Sequence, residues 1–473
     1  MPLNSSPTRG FNLGPQPTQA WTPILALVLF SALCILVGAS SILRPVYVVG
    51  SFAIGVFLYR QYPTLYLGFS WWIWFITPLL GRLSDYQGGF DPQRLILVSQ
   101  YLVTLVTFAT FLKHLPRSYH QGGSPFLLAF TGVFYGFLVG LINTSPLPAT
   151  RALLDWLTPI LFGFHLFANW QDYPSYRQNI QRTFLWGVLV TGVYGVIQYL
   201  IAPEWDRFWL ISTKLTSMGH PEPLQIRVWS TMSSPGPFSV MMMAGLLLLF
   251  NSKEALRIPA AGAGYLAFLL TMVRTLWAAW LVGLLTLITS LKANLQMRLI
   301  ITILVIAVCV VPLTTIEPFS ETINSRLQSF SNLEEDNSAQ VRAKIYEDGL
   351  SRALSNGLGN GIGNTFVVTD GKLESVVIDS GILDMFSTLG WLGAIPYLGG
   401  LLLLFFNLFQ YSEFRFDSFM ATARAIGLSV FVTLPGGSSM LGFGGMVLWG
   451  FLGIAMAAHK YHQHQRIANL DQA

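Results

Sequence analysis

The chain reads as an all-α protein: a polytopic transmembrane helical bundle of about 12–14 spans, with one long extracytoplasmic loop containing short helices. Three observations lead there. Hydrophobic residues make up 53% of the 473 residues and charged residues only 10%, against roughly a quarter charged in a soluble chain. Apolar runs of about 17–25 residues recur, the length a helix needs to cross a hydrocarbon layer of ~30 Å. The 14 Trp suit the amphipathic belt at the bilayer surface.

In chain order, residues 1–20 are polar and Pro-rich and are expected to form a disordered cytoplasmic tail without a cleavable signal. Spans follow at about 22–40, 44–59, 64–80, 95–112, 125–142, 150–170, 181–201, 233–250, 257–273, 276–291 and 297–314, within residues 21–315. Residues 316–379 form the extracytoplasmic loop, residues 380–458 hold spans at about 380–409, 421–434 and 440–458, and 459–473 is a cytoplasmic tail. Cys34 and Cys309 both fall inside apolar spans, so neither a disulfide nor thiol chemistry is expected. With an even span count both termini share one side. Short segments on that side carry 14 of the 27 Lys and Arg, among them Arg60, Lys113, Arg177, Lys253 and Lys460, which makes it cytoplasmic.

The loop contains a predicted helix from Ala339 to about Leu354, capped by Asn337 or Ser338 and stopped by Gly357. Arg342, Tyr346, Gly349 and Ala353 share one stripe of it, apart from the solvated row of Lys344, Asp348 and Arg352. A surface Arg lying over an aromatic ring is the plain alternative for Arg342. Next comes "NGLGNGIGNTF", with glycine at Gly357, Gly359, Gly361 and Gly363. A nucleotide loop requires a strand before it, a helix after it and, for a P-loop, Lys-Ser/Thr; here a helix precedes and no such pair follows. Nucleotide binding is excluded. A left-handed turn remains, either packing the loop or turning its amides toward an anion or sugar.

Three arginines near the outer face stand out, because a charge at that depth is costly unless paired or facing a cavity. Arg227 opens "RVWSTMSSPGPFS". Arg274 interrupts about 34 apolar residues; one helix of that length would reach about 51 Å, so the run is two spans with Arg274 at the turn. Snorkelling to lipid phosphates is the alternative for Arg274. Arg151 stands four residues before Asp155, the spacing of a simple helical ion pair. Arginines converging on one cavity would bind a diphosphate, since guanidinium forks match phosphate oxygens.

The order Arg227, "STMSSPGPFSVMMMAGLL", "VRTLWAAWL", the long loop with "VRAKIYEDGL" and "LGNGIGNTF", then "IDSGILDMFSTLGWLG", resembles the O-antigen ligase/polymerase superfamily from Arg227 to Gly393. Val273 stands where that family has Ser, Ser233–Pro235 where Asn-Pro-Asn is common, and Asp379–Ser380 where its lipopolysaccharide ligases carry histidine. The resemblance implies an inverting, metal-independent glycosyltransferase without cofactor, facing the periplasm from the inner membrane. It would polymerise or transfer undecaprenyl-diphosphate-linked oligosaccharide units onto a glycan acceptor. The partners implied are that lipid-linked donor, the acceptor and the bilayer, with room for a chain-length regulator and a flippase and no nucleic acid. Arg227, Arg274 and Arg342 would hold the diphosphate, with Arg274 also catalytic as charge builds on the leaving group. Tyr346, Gly359, Gly361 and Gly363 would shape the substrate turn, and Asp379 would be the base. Asp379 reads equally as the N-cap of the next span, with Asp384 as the second candidate base. Without the ligase histidine, a polymerase is favoured over a ligase acting on a different acceptor. A small-solute or inorganic-carbon transporter is the alternative of another class, although no internal repeat is found and the charges gather at one face.

Overall fold

The computed structural model describes residues 18–290, 296–297, 300, 304, 356–363, 366–369, 372–375, 380–410 and 417–470. Among them the chain is an all-α bundle, as the sequence predicts, and a multi-pass membrane protein. Eight helices are long and apolar enough to cross a membrane, and three shorter apolar helices accompany them.

The helices are α1 (Thr18–Val37), α2 (Ser40–Gln61), α3 (Pro63–Gly88), α4 (Val98–Leu105), α5 (Phe108–Ser118), α6 (Ser124–Asn143), α7 (Pro146–Ala168) and α8 (Tyr173–Ile201). They continue with α9 (Glu204–Thr213), α10 (Pro235–Leu249), α11 (Arg257–Leu270), α12 (Arg274–Ser290), α13 (Gly381–Gln410), α14 (Ser418–Phe431) and α15 (Gly442–Leu470). Proline occupies the first turn of α3, α6, α7, α8 and α10, where its fixed φ suits a helix and its missing N–H leaves no bond unmade.

The centre of the bundle is α15, buried at every position from Gly442 to His459. Such a helix, apolar all round and enclosed, is held by close packing rather than by amphipathicity. Small residues permit the contact: a Cβ on Gly453 would lie 2.8 Å from Gly163 Cα in α7, and one on Gly393 in α13 would lie 2.8 Å from Gly132 O in α6. By contrast α1 lies at the periphery, with Leu29, Leu33 and Leu36 exposed.

Several local expectations change. The fourth span is segmented into a 3-10 turn (Leu95–Leu97), α4 and α5. Thr104 and Thr107 bond back to Gln100 O and Thr104 O at 2.8 and 2.7 Å, which competes with the helical ladder there. The expected tail at 459–473 is helical as far as Leu470. It is tied down by Lys460 Nζ, 5.1 Å from the Phe167 ring centroid, and by His462 Nε2, 2.9 Å from Asp417 Oδ2. Helix α9 was not expected; Glu204 and Asp206 in its first turn complement the helix dipole. In the long loop, a two-stranded antiparallel hairpin pairs Phe366–Thr369 with Lys372–Ser375. Cys34 is buried with a free thiol. The eleventh span at about 297–314 falls almost wholly outside the described residues, as do Cys309 and the predicted helix from Ala339.

Candidate functional site

One end of the bundle collects the segments singled out in the sequence. Segment 227–235 is pinned from below by Arg82 of α3, whose guanidinium is fully buried. Its Nε donates to Asp206 Oδ1 at 2.6 Å, Nη1 to Met232 O at 2.6 Å, and Nη2 to Ser230 O. Asp206 Oδ2 accepts from Tyr194 and Gln198, each at 2.8 Å. Gln198 Oε1 in turn accepts from the amides of Trp229 and Ser230 at 3.0 and 2.8 Å. The side chains of Arg82, Asp206, Tyr194 and Gln198 all have partners, the condition for a buried ion pair to hold one geometry. It imposes φ +53° on Ser230, a backbone conformation costly for a residue other than glycine. Sequence reasoning missed this network: Arg82 and Asp206 stand 124 residues apart in the chain.

Arg227 spends its fork on backbone. Nε, Nη1 and Nη2 donate to Thr271 O at 3.3 Å, Ser217 O at 2.8 Å and Met272 O at 3.3 Å. Met272 has φ +55°, so Arg227 braces the strained turn from which Arg274 emerges as the first residue of α12, half-buried. The expected break between two spans is therefore a built turn, and Arg227 positions Arg274.

The glycine run docks into a break in α13. Gly390 has φ +63° inside that helix, which frees carbonyls one turn earlier. Asn360 N and Gly361 N donate to Ser387 O and Thr388 O at 2.8 and 2.9 Å, Ile362 N donates to Gly136 O at 2.9 Å, and Trp391 N donates to Gly357 O at 2.9 Å. Gly359, Gly361 and Gly363 have φ +77°, +85° and +97°. A methyl group on Gly359 would fall on the Gly390 backbone, on Gly361 it would fall on Gly140, and on Gly363 it would lie 2.8 Å from Ala149 Cα. Of the two uses left open for these amides, those of residues 360–362 serve packing: they bond protein carbonyls rather than facing a cavity.

Helix α13 begins on Ser380, whose Oγ accepts from Leu383 N at 3.3 Å. The cap is thus supplied by the residue after Asp379. Asp384, buried in the next turn, accepts from Thr388 Oγ1 at 3.0 Å and bonds Ser438. The 434–442 loop joins these parts: an added Cβ at Gly381 would lie 2.9 Å from Gly437 O, at Gly436 3.4 Å from Thr275 Cγ2, and at Gly442 3.2 Å from Asp155 Oδ1. The Arg151–Asp155 ion pair suggested by spacing is not formed; Asp155 Oδ1 accepts from Tyr101 of α4 instead. Arg342, Tyr346 and Asp379 lie outside the described residues.

Beside the 227–235 segment is a cleft lined by Arg82, Asp85, Asp91, Arg94, Trp209 and Ser233, among others. The Arg94 guanidinium lies 5.4 Å from the Trp209 ring centroid. Burial, and then the neighbouring Arg151 charge, pull it below its ordinary value. Taken together, this end offers a braced arginine at a helix N-terminus, an arginine-lined cleft and several half-buried or buried carboxylates, Asp384 among them. Such a set can hold an anionic leaving group and accept a proton. No family model matches the chain, and no curated protein matches it.

Proposed function

We propose that the chain is a membrane glycosyltransferase of the O-antigen ligase/polymerase type that it resembles. It would join undecaprenyl-diphosphate-linked oligosaccharide repeat units into surface polysaccharide at the extracytoplasmic face of the inner membrane. The observation that carries this reading is Arg274 at the first position of α12, set there by the turn that Arg227 braces. A guanidinium at this turn can fork onto phosphate oxygens, and its permanent charge stabilises negative charge as it builds there. The arrangement is therefore suited to a group that gains negative charge during reaction.

In this reading the acceptor hydroxyl attacks the anomeric carbon from the face opposite the diphosphate. The new C–O bond forms as the bond to the diphosphate oxygen breaks, and the electron pair leaves with the diphosphate. Arg274, with Arg342 from the loop, stabilises that charge. Asp379 takes the hydroxyl proton; the neighbouring Ser380 Oγ accepts from Leu383 N at the start of α13. A transport reading would draw on the broken helix α13, a device of secondary transporters. Here the break is filled by residues 358–362, whose amides are bonded to protein.

A deletion strain profiled for surface polysaccharide length tests the proposal, with lipid-linked repeat units measured alongside. Loss of long chains with accumulation of single lipid-linked units is expected. Unchanged chain length and no accumulation would overturn it.

A further inference from the structure

Helices α14 and α15 form a hairpin whose bend is the 434–442 loop at the candidate site. Its open end, at the opposite face of the bundle, is closed by one buried carboxylate. Asp417 is the N-cap of α14, and its Oδ1 accepts from the amides of Phe419 and Met420 at 3.0 and 3.2 Å. Oδ2 accepts from Tyr173 of α8 and lies 2.9 Å from Nε2 of His462 in α15. Arg177 of α8 stands 3.6 Å from Oδ1. Three helices thus share one carboxylate, through the stronger, charge-assisted kind of hydrogen bond.

The bend is held by fit. Helix α15 leaves the loop at Gly442 with φ +49°, where a Cβ would lie 3.2 Å from Asp155 Oδ1 and 3.7 Å from Tyr101 Oη. Its first turn carries no acidic residue to complement the helix dipole. Within the loop, Gly436 approaches Thr275, the neighbour of Arg274; Gly437 approaches Gly381; and Ser438 bonds Asp384. From Gly442 to His462 is about 30 Å of helix, uninterrupted by proline and buried as far as His459. The two arms interlock, since a Cβ on Gly427 of α14 would lie 2.6 Å from Leu452 Cδ2 of α15. Such close-packed helices do not compress, and they shift between discrete arrangements rather than deforming smoothly.

We propose that Asp417 and His462 are positioning residues for the opposite end of the bundle. By closing the hairpin they fix the register of α15 on α14. That register in turn sets the 434–442 loop against Asp384 and the turn that carries Arg274. Breaking the tie releases the loop about 30 Å away, without any contact between the altered residue and the site. His462 is the adjustable member: it is half-buried, whereas Asp417 and Tyr173 are buried. The coupling concerns whatever chemistry the loop serves and does not rest on the glycosyltransferase reading.

Hydrogen exchange read by mass spectrometry on the purified full chain tests this, comparing wild type, His462→Ala and His462→Gln. In His462→Ala, exchange in peptides covering 434–446 should rise about 10- to 100-fold, while peptides covering 448–456 stay protected. His462→Gln, whose side-chain N–H can still donate to Asp417, should restore the wild-type pattern. Faster exchange confined to 459–470 would overturn the coupling, because the tie would then hold only its own end. A uniform rise across all helices with a lower melting temperature would also overturn it, as the mark of a purely structural bond. A Gln variant that exchanges like Ala would remove the hydrogen bond as the carrier. Elongation of lipid-linked units, measured on the same proteins, separates the two readings. If the 434–446 peptides respond as described but wild type joins no units, the glycosyltransferase reading fails and the coupling stands.

Discussion

Gly361→Ala isolates the contact by which the loop grips the membrane helices. The native residue has φ +85°, its N–H donates to Thr388 O, and a methyl group there would fall on the Gly140 backbone. Left-handed backbone costs alanine about 1–2 kcal/mol. The overlap with α6 cannot be relieved by a side-chain rotation, so residues 360–362 must lift away. Their three bonds to Ser387, Thr388 and Gly136 then weaken together, at about 0.5–1.5 kcal/mol each. The expected total is roughly 3–6 kcal/mol. Gly357→Ala is the internal control, because an added Cβ there meets nothing nearer than Trp391 Cδ1 at 3.9 Å; it should fall within about 0.5 kcal/mol of wild type. Thermal unfolding of the purified proteins, with hydrogen exchange at the Ile362 amide, reads the difference. A Gly361→Ala protein that melts with Gly357→Ala and keeps Ile362 protected would refute the docking account.

Four further outcomes are expected. Arg227→Lys should lower the melting temperature as well as activity, because a point charge cannot serve Ser217, Thr271 and Met272 together; Arg274→Ala should leave melting near wild type while slowing elongation about 10- to 150-fold. At the opposite end, burial pushes the Asp417 carboxyl up, but hydrogen bonds from His462 and Tyr173 and the Arg177 charge outweigh it and hold it at about 2. A folded value below the ordinary one gives stability that is present above about pH 4 and is lost as pH falls through 2; Asp417→Asn should therefore cost about 2 kcal/mol at pH 7, with the gap in melting temperature closing toward pH 2. Asp379→Asn should express and fold normally yet lose about 10²- to 10⁴-fold in elongation rate, whereas full activity would transfer the base role to Asp384.

The bundle was legible because composition and the length of apolar runs report directly on the bilayer, and Arg274 was placed at a turn by helix length alone. The glycine run was legible as left-handed backbone but not as a plug, because its partners lie in α6 and α13, more than 200 residues before and about 25 after it. Ser380 supplies a capping bond at the start of α13, one residue after Asp379, which lies outside the described residues. Arg82, Asp206 and Gln198 were invisible for a stronger reason: a buried polar network has no local signature, since each member sits at the end of a different apolar run. Arg151 read as a helical ion pair with Asp155, and the spacing gave no sign of Tyr101, the group that Asp155 Oδ1 accepts from. The segmented fourth span follows from Thr104 and Thr107, whose hydroxyls compete with the helix backbone.

The central claim is that the purified chain itself forms a glycosidic bond. The most direct measurement incubates it with lipid-linked repeat units and follows product length by gel alongside release of undecaprenyl diphosphate. The expected result is a ladder of longer lipid-linked glycans, with one diphosphate lipid released per unit added, and loss of both signals in Arg274→Ala. Folded wild-type protein that binds the substrate but yields neither ladder nor released lipid would contradict the claim.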